Sequence, residues 1–257
     1  MNILITGCNR GLGMLLAKEL RNHHVIATAR DINKLKQSLN DQKHCDLQQL
    51  DVSNGESIKQ FIKTIKQPID ILVNNAGIIE TQLSDKNKMA EQVFKVNYYG
   101  VINLTQAVLP YIRQDGKIIV ISSNLGKLSI QKDVIQQKLN KCNKDELQMI
   151  VEEFIKNIDE RNDFGEWYKE YKGIYKEYKG IYSASKALIN AYYRHVLSKE
   201  VKQQVFCIHP GWLKTDMGGP LAPKEPEDGI ITSLYVINNE IKGTGLYLND
   251  KCEIEEF

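Results

Sequence analysis

Ile3-Leu4-Ile5-Thr6-Gly7-Cys8-Asn9-Arg10-Gly11-Leu12-Gly13 opens the chain with an apolar run, a glycine-bearing turn and the first residues of a helical stretch. Ile3–Thr6 reads as a buried strand and Gly11–Leu20 as a helix. Gly7 permits the tight turn, Gly11 lets backbone approach a ligand, and Gly13 lets helix and strand pack closely. A helix N-terminus behind such a turn offers N–H donors and the positive end of its dipole, which suits a pyrophosphate. For this motif alone, a glycine turn without a ligand stays a competing explanation.

The rest of the chain repeats the same alternation. Strand-like runs at Ile3–Thr6, His24–Thr28, Gln49–Val52, Ile69–Asn74, Lys117–Ser122, Gln204–His209 and Gly245–Leu248 are separated by helical stretches near 11–20, 32–39, 57–65, 101–112 and 183–197. This order predicts an α/β fold with a doubly wound parallel sheet, a Rossmann fold, and a ligand crevice at the carboxyl ends of the strands. The 257 residues suffice for a single domain spanning 1–257. A net charge of +2 with dispersed Lys and Arg argues against a nucleic-acid partner. Five scattered cysteines without metal-type spacing suggest free thiols, a reducing compartment and no metal site. With no leader pattern and no apolar run near the roughly 20 residues a membrane span needs, a cytoplasmic protein is expected.

Residues 127–180 break the rhythm as a helical insertion. Asn143-Lys-Asp-Glu146 resembles a capping box, and Leu147, Ile150, Val151, Phe154, Ile155 and Ile158 follow at helical spacing. That stripe is expected to bury in its own chain, with a partner as the alternative. The insertion ends in a tandem repeat, Tyr168–Ile174 and Tyr175–Ile181. It leads into Tyr182-Ser-Ala-Ser-Lys186, whose phenol and ammonium fall on one helix face, as a proton donor with its charge partner. Tyr168/Lys172 and Tyr175/Lys179 share the spacing, but glycines weaken helix there. Only Tyr182 is followed by small residues that let a helix approach a cofactor.

Further residues sharpen the dinucleotide reading. NAD sites usually end the second strand with an acid; this chain has Thr28-Ala29-Arg30-Asp31. Arg30, with Arg10 in the glycine turn, supplies cations for a 2′-phosphate and favours NADPH over NADH, while Asp31 would offset Arg30 or cap the next helix. Asp51-Val52, read as the end of the third strand, would meet the adenine, or else form a turn. Asn74-Asn75-Ala76-Gly77 ends the fourth strand with small residues beside the cofactor.

In order along the chain, Thr6-Gly7-x3-Gly11-x-Gly13, Asp51, Asn74-Asn75-Ala76-Gly77, Asn97, Ser122-Ser123-x2-Gly126, Tyr182-x3-Lys186 and Pro210-Gly211-x3-Thr215 resemble the short-chain dehydrogenase/reductase family. Within it the chain is most similar to monomeric NADPH-dependent carbonyl reductases, which share a long insertion before the tyrosine. The resemblance implies reduction of aldehydes, ketones or quinones by hydride transfer from NADP(H), in a monomer with a small-molecule carbonyl substrate.

It also implies roles. Tyr182 donates the proton, and Lys186 favours the phenolate and holds the nicotinamide ribose. Ser123 binds the substrate oxygen, Ser122 facing the other way along the strand. Asn97 fixes a water linking Lys186 to solvent. Gly7, Asn9, Arg10, Gly11, Leu12, Gly13, Arg30, Asp51, Val52, Asn75, Ala76 and Gly77 line the cofactor. Pro210, Gly211, Leu213 and Thr215 close over the nicotinamide. Trp212 is either a wall for an aromatic substrate or a core residue. The polar loop Ile78–Asp85 and Asn124 depart from the animal carbonyl reductases. A redox-sensing NADPH-binding regulator and a steroid- or alkaloid-type ketone reductase are the alternatives.

Overall fold

The computed structural model describes residues 1–79, 86–161, 167 and 180–256. Their strands form one sheet, in the order β3-β2-β1-β4-β5-β6-β7-β8. The strands are β1 Asn2–Thr6, β2 His24–Ala29, β3 Cys45–Gln49, β4 Ile69–Asn74, β5 Ile112–Ile121, β6 Gln204–Ile208, β7 Leu246–Leu248 and β8 Ile254–Glu255. The first seven pair in parallel, and β8 turns back antiparallel on β7. The order reverses between β1 and β4, which places the ligand crevice at their carboxyl ends.

The α-helices among the described residues are α1 Gly11–Glu19, α2 Ile32–Leu39, α3 Gly55–Ile62, α4 Lys86–Phe94, α5 Val101–Val108, α6 Asp133–Leu139, α7 Lys144–Arg161, α8 Ile181–Ala191, α9 Ser198–Glu200 and α10 Ile231–Asn238. The sheet carries a core on each face. One joins Leu4, Leu72 and Ile118 to the α4, α5, α7 and α8 side, and the other joins Ile3, Ile5 and Ile119 to the α1 and α10 side. Alternation of side chains along each strand divides these residues between the two. No described helix is long and apolar enough to cross a membrane.

The third strand lies earlier than Gln49–Val52. Its register with β2 runs from Val25↔Cys45 to Ala29↔Gln49. Leu50 N–H still reaches Ala29 O, but Asp51 N–H turns to Ser57 Oγ at 2.9 Å. As an edge strand, Cys-Asp-Leu-Gln-Gln carries little apolar signal, whereas Leu50 and Val52 are buried beyond it. The predicted helix 101–112 ends at Val108, and Ile112 opens β5. Helices α4, α9 and α10 and strand β8 have no counterpart in the sequence analysis, and α6 falls inside the helical insertion 127–180.

In the insertion, Glu146 N–H donates to Asn143 Oδ1 at 2.9 Å and Asn143 N–H to Glu146 Oε2 at 2.8 Å, a reciprocal cap. The stripe of α7 folds into its own chain: Leu147, Val151, Phe154 and Ile158 are buried in the α8-side core. Phe154 packs at 5.5 Å from Phe94 and 4.7 Å from Trp167, measured between ring centroids. The repeat at 168–179, with its alternative Tyr/Lys pairs, and residues 80–85 of the loop after Gly77 lie outside the described residues.

Phe154→Ala should destabilise the chain by roughly 3–5 kcal/mol in urea unfolding. Met149→Ala, on the exposed face of the same helix, should change stability by no more than about 0.5 kcal/mol.

Candidate active site

The crevice floor is built by the tips of β1 and β4. Thr6 Oγ1 accepts from Asn75 N–H at 3.0 Å and Ala76 N–H at 2.9 Å. Asn75 Nδ2 donates back to Thr6 O at 2.7 Å and Gly7 O at 3.2 Å. α1 lies directly on this clasp. A Cβ on Gly13 would stand 2.4 Å from Asn75 Nδ2 and 2.6 Å from Gly7 O, so nothing larger than glycine fits. Gly11 takes a left-handed backbone, φ 56°, beside open space. No described side chain caps the N-terminus of α1, and its first turn has no acid. The turn is therefore a backbone-lined cradle whose free N–H groups suit a pyrophosphate.

Around the cradle the predicted cofactor residues divide. Asp31 caps α2, accepting from Asn33 N–H at 3.0 Å and Lys34 N–H at 3.1 Å, which decides between its two readings. Arg30 is exposed at the end of β2. Arg10 Nη1 instead pairs with Asp216 Oδ2 at 2.7 Å, across the crevice, with both side chains exposed. Asp51 and Val52 sit in the turn after β3, where Asp51 Oδ1 accepts from Ser53 N–H and Oγ at 2.9 and 2.7 Å.

The Tyr182 helix, α8, is buried along its whole length. Lys186 Nζ donates to Ile121 O at 2.7 Å and lies 5.6 Å from the centroid of the Tyr182 ring. Burial lowers the Lys186 pKa from an ordinary 10.5 to about 8, opposed by the nearby Cys207 thiol. A methyl group on Gly77 would stand 3.5 Å from Asn97 Oδ1 and 3.7 Å from Lys186 Nζ, so these three residues converge. Asn97 lies in a π-helical turn, Lys95–Gly100, inserted between α4 and α5. Its amide holds Ile78 N–H (2.9 Å), Ile78 O (2.8 Å) and Ser185 Oγ (3.1 Å).

Ser122 and Ser123 part as strand alternation requires. Ser122 Oγ donates to Asn190 Oδ1 at 2.6 Å, inside the core. Ser123 Oγ accepts from Leu125 N–H at 3.2 Å, which leaves its own proton to donate outward. The turn carrying Ser123 is held against α8 by Ser183 Oγ on Leu125 O and by Asn190 Nδ2 on Gly126 O.

Beyond β6, Leu213 is buried and Thr215 Oγ1 accepts from Gly218 N–H at 3.2 Å. Trp212 is half-buried, its indole N–H on Gly218 O at 2.7 Å. A cavity of 420 Å³ opens at the β7 edge beside Arg194, His195, Tyr247 and Ile254; none of the predicted site residues lines it.

Residues 1–135 match the family described as short chain dehydrogenase. The chain belongs to the short-chain dehydrogenase family. It is an oxidoreductase working between alcohol and carbonyl groups. Among relatives, carbonyl reductase (NADPH) 1 of Sus scrofa is 29% identical over 275 residues, covering 98% of this chain and 93% of that protein. Among solved structures, salutaridine reductase from Papaver somniferum superposes with a TM-score of 0.81 at 24% identity, covering 96% of this chain and 98% of that one. The NADPH-bound carbonyl reductase from chicken fatty liver gives 0.71 at 23% identity, covering 100% and 98%. At these identities the structural likeness speaks for the fold alone.

The lowered pKa of Lys186 predicts a signature in stability. Between pH 8 and 10.5 the unfolded chain holds a proton here that the folded chain has lost. Folding stability therefore rises with pH across that window. Relative to Lys186→Met, the wild type should gain up to about 3 kcal/mol from pH 8 to 10.5, read from urea unfolding of both proteins.

Proposed function

We propose that this family member reduces aldehydes, ketones or quinones to alcohols with NADPH, Tyr182 giving the proton. The observation that carries the reading is the convergence of Gly77, Asn97 and a buried Lys186 beside the Tyr182 ring, at the carboxyl end of a sheet with a phosphate cradle. NADPH, when bound, supplies the hydride. The cradle from Gly7 to Gly13 holds its pyrophosphate, Asp51 and Val52 meet the adenine, and Asn75–Gly77 and Pro210–Thr215 flank the nicotinamide side.

Lys186 stabilises the phenolate that Tyr182 becomes once its proton passes to the substrate oxygen. Ser123, its hydroxyl already accepting from Leu125 N–H, donates to that same oxygen as negative charge develops. Both amide protons of Asn97 are engaged, so a water leading from Lys186 to solvent falls to its main-chain carbonyl, in a turn whose hydrogen-bond register is shifted. The whole of 1–257 acts as one catalytic domain in this reading, 127–180 its insertion, and the chain works as a monomer. A sensor that docks partners through the α7 stripe loses its support, because that stripe is buried in its own chain.

With isatin or a quinone, NADPH absorbance should fall, and Tyr182→Phe should slow this by roughly 10²–10⁴-fold while still binding NADPH. A wild-type protein that binds NADPH and turns over nothing in a broad carbonyl panel would sink the reading.

The Arg10–Asp216 pair generates a second expectation. An exposed pair is worth at most about 1 kcal/mol, so a 2′-phosphate can displace the carboxylate. Asp216→Asn should then tighten NADPH up to about fivefold and leave NADH unchanged, with the gain shrinking at high salt. Fluorescence titration of both cofactors measures it.

A further inference from the structure

Tyr247 lies in the middle of β7, fully buried on the α8 side of the sheet. Two strands away, across β6, its hydroxyl donates to the main-chain oxygen of Ser123 at 3.1 Å. That oxygen also accepts Gly126 N–H at 2.9 Å within its own turn. Phenylalanine would fill the same space without a hydroxyl to desolvate, so the phenol is there for this bond.

The Tyr247 ring stacks on His209, centroids 5.8 Å apart and planes 29° from parallel. His209 Nδ1 accepts from Gly211 N–H at 3.3 Å, which places its proton on Nε2, 3.9 Å from Asp250 Oδ1. The other Asp250 oxygen is paired with Lys224. Lys224 in turn is laced to the loop, its N–H on Trp212 O at 3.3 Å and its carbonyl accepting Lys214 N–H at 2.9 Å. One connected unit, buried at Tyr247 and His209 and partly exposed at Asp250 and Lys224, therefore touches both the Ser123 turn and the Gly211–Lys214 segment. These two segments are the walls between which a substrate carbonyl would sit.

We propose that Tyr247, braced by His209, is a positioning residue that sets Ser123 against the Gly211 loop. This rests on the reading of Ser123 as the group that meets the substrate oxygen. A hydroxyl displaced by even a fraction of an ångström stabilises the developing charge less well, while the cradle that binds the cofactor is untouched.

The test is Tyr247→Phe in the full chain, alone and combined with Ser123→Ala. Tyr247→Phe should lower kcat about tenfold with NADPH affinity unchanged. In the Ser123→Ala background it should have no further effect, because the two act through one group. Independently of turnover, amide exchange of the 122–127 peptide should quicken in Tyr247→Phe while the α8 peptide keeps its protection. An unchanged kcat, an effect additive with Ser123→Ala, or unaltered exchange of 122–127 would each overturn the proposal. A wild-type protein without carbonyl turnover would instead overturn the function proposed above, and the exchange measurement alone would then decide the role of Tyr247.

Discussion

Four hydrogen bonds between Thr6–Gly7 and Asn75–Ala76 hold the whole site in register. They sit where the strand order reverses and no helix crossover ties the two tips directly. Asn75 is the pivot, since its amide engages the β1 turn while α1 presses on it from above. From this point the glycine cradle runs one way and Gly77 the other, toward Asn97 and Lys186. A change that splayed β1 from β4 would therefore disturb the glycine cradle and the Gly77–Asn97–Lys186 cluster together.

Electrostatics set the second constraint. Lys186 carries its charge into the core, where it is held by one main-chain oxygen and faces an aromatic ring. Burying an ammonium costs stability, and the same burial lowers the Lys186 pKa. In the proposed function the group is aimed at the place where negative charge would appear on Tyr182, which offsets that cost. A lysine placed only for structure would gain more by reaching solvent.

Local chemistry was legible in the chain, and long-range pairing was not. The Ile3–Gly13 run spells its strand, turn and helix within eleven residues. The Asn143/Glu146 cap is an i to i+3 relation and was readable for the same reason. The third strand lies earlier than its own residues suggest, because β2 decides its pairing and Cys45-Asp-Leu-Gln-Gln49 is mostly polar. Arg10 was visible as a cation, but Asp216, 206 positions away, was not visible as its partner. The bond from Tyr247 to Ser123 spans 124 positions and follows no periodicity. A tyrosine in an otherwise aliphatic strand, Leu-Tyr-Leu, was the sole hint. Trp212 matched neither reading fully, being half-buried with its N–H already spent.

The two-residue strand β8 has a bearing on how the molecule behaves in a crowded solution. A parallel sheet ends in unpaired N–H and C=O groups that invite another chain to add on. Here the rungs Tyr247↔Glu255 and Leu248↔Ile254 occupy that side of β7. At the opposite margin, β3 presents Asp46 and Gln48 rather than an apolar ribbon. Both borders are thus blunted against strand-to-strand polymerisation, one by its own returning chain and the other by polar side chains.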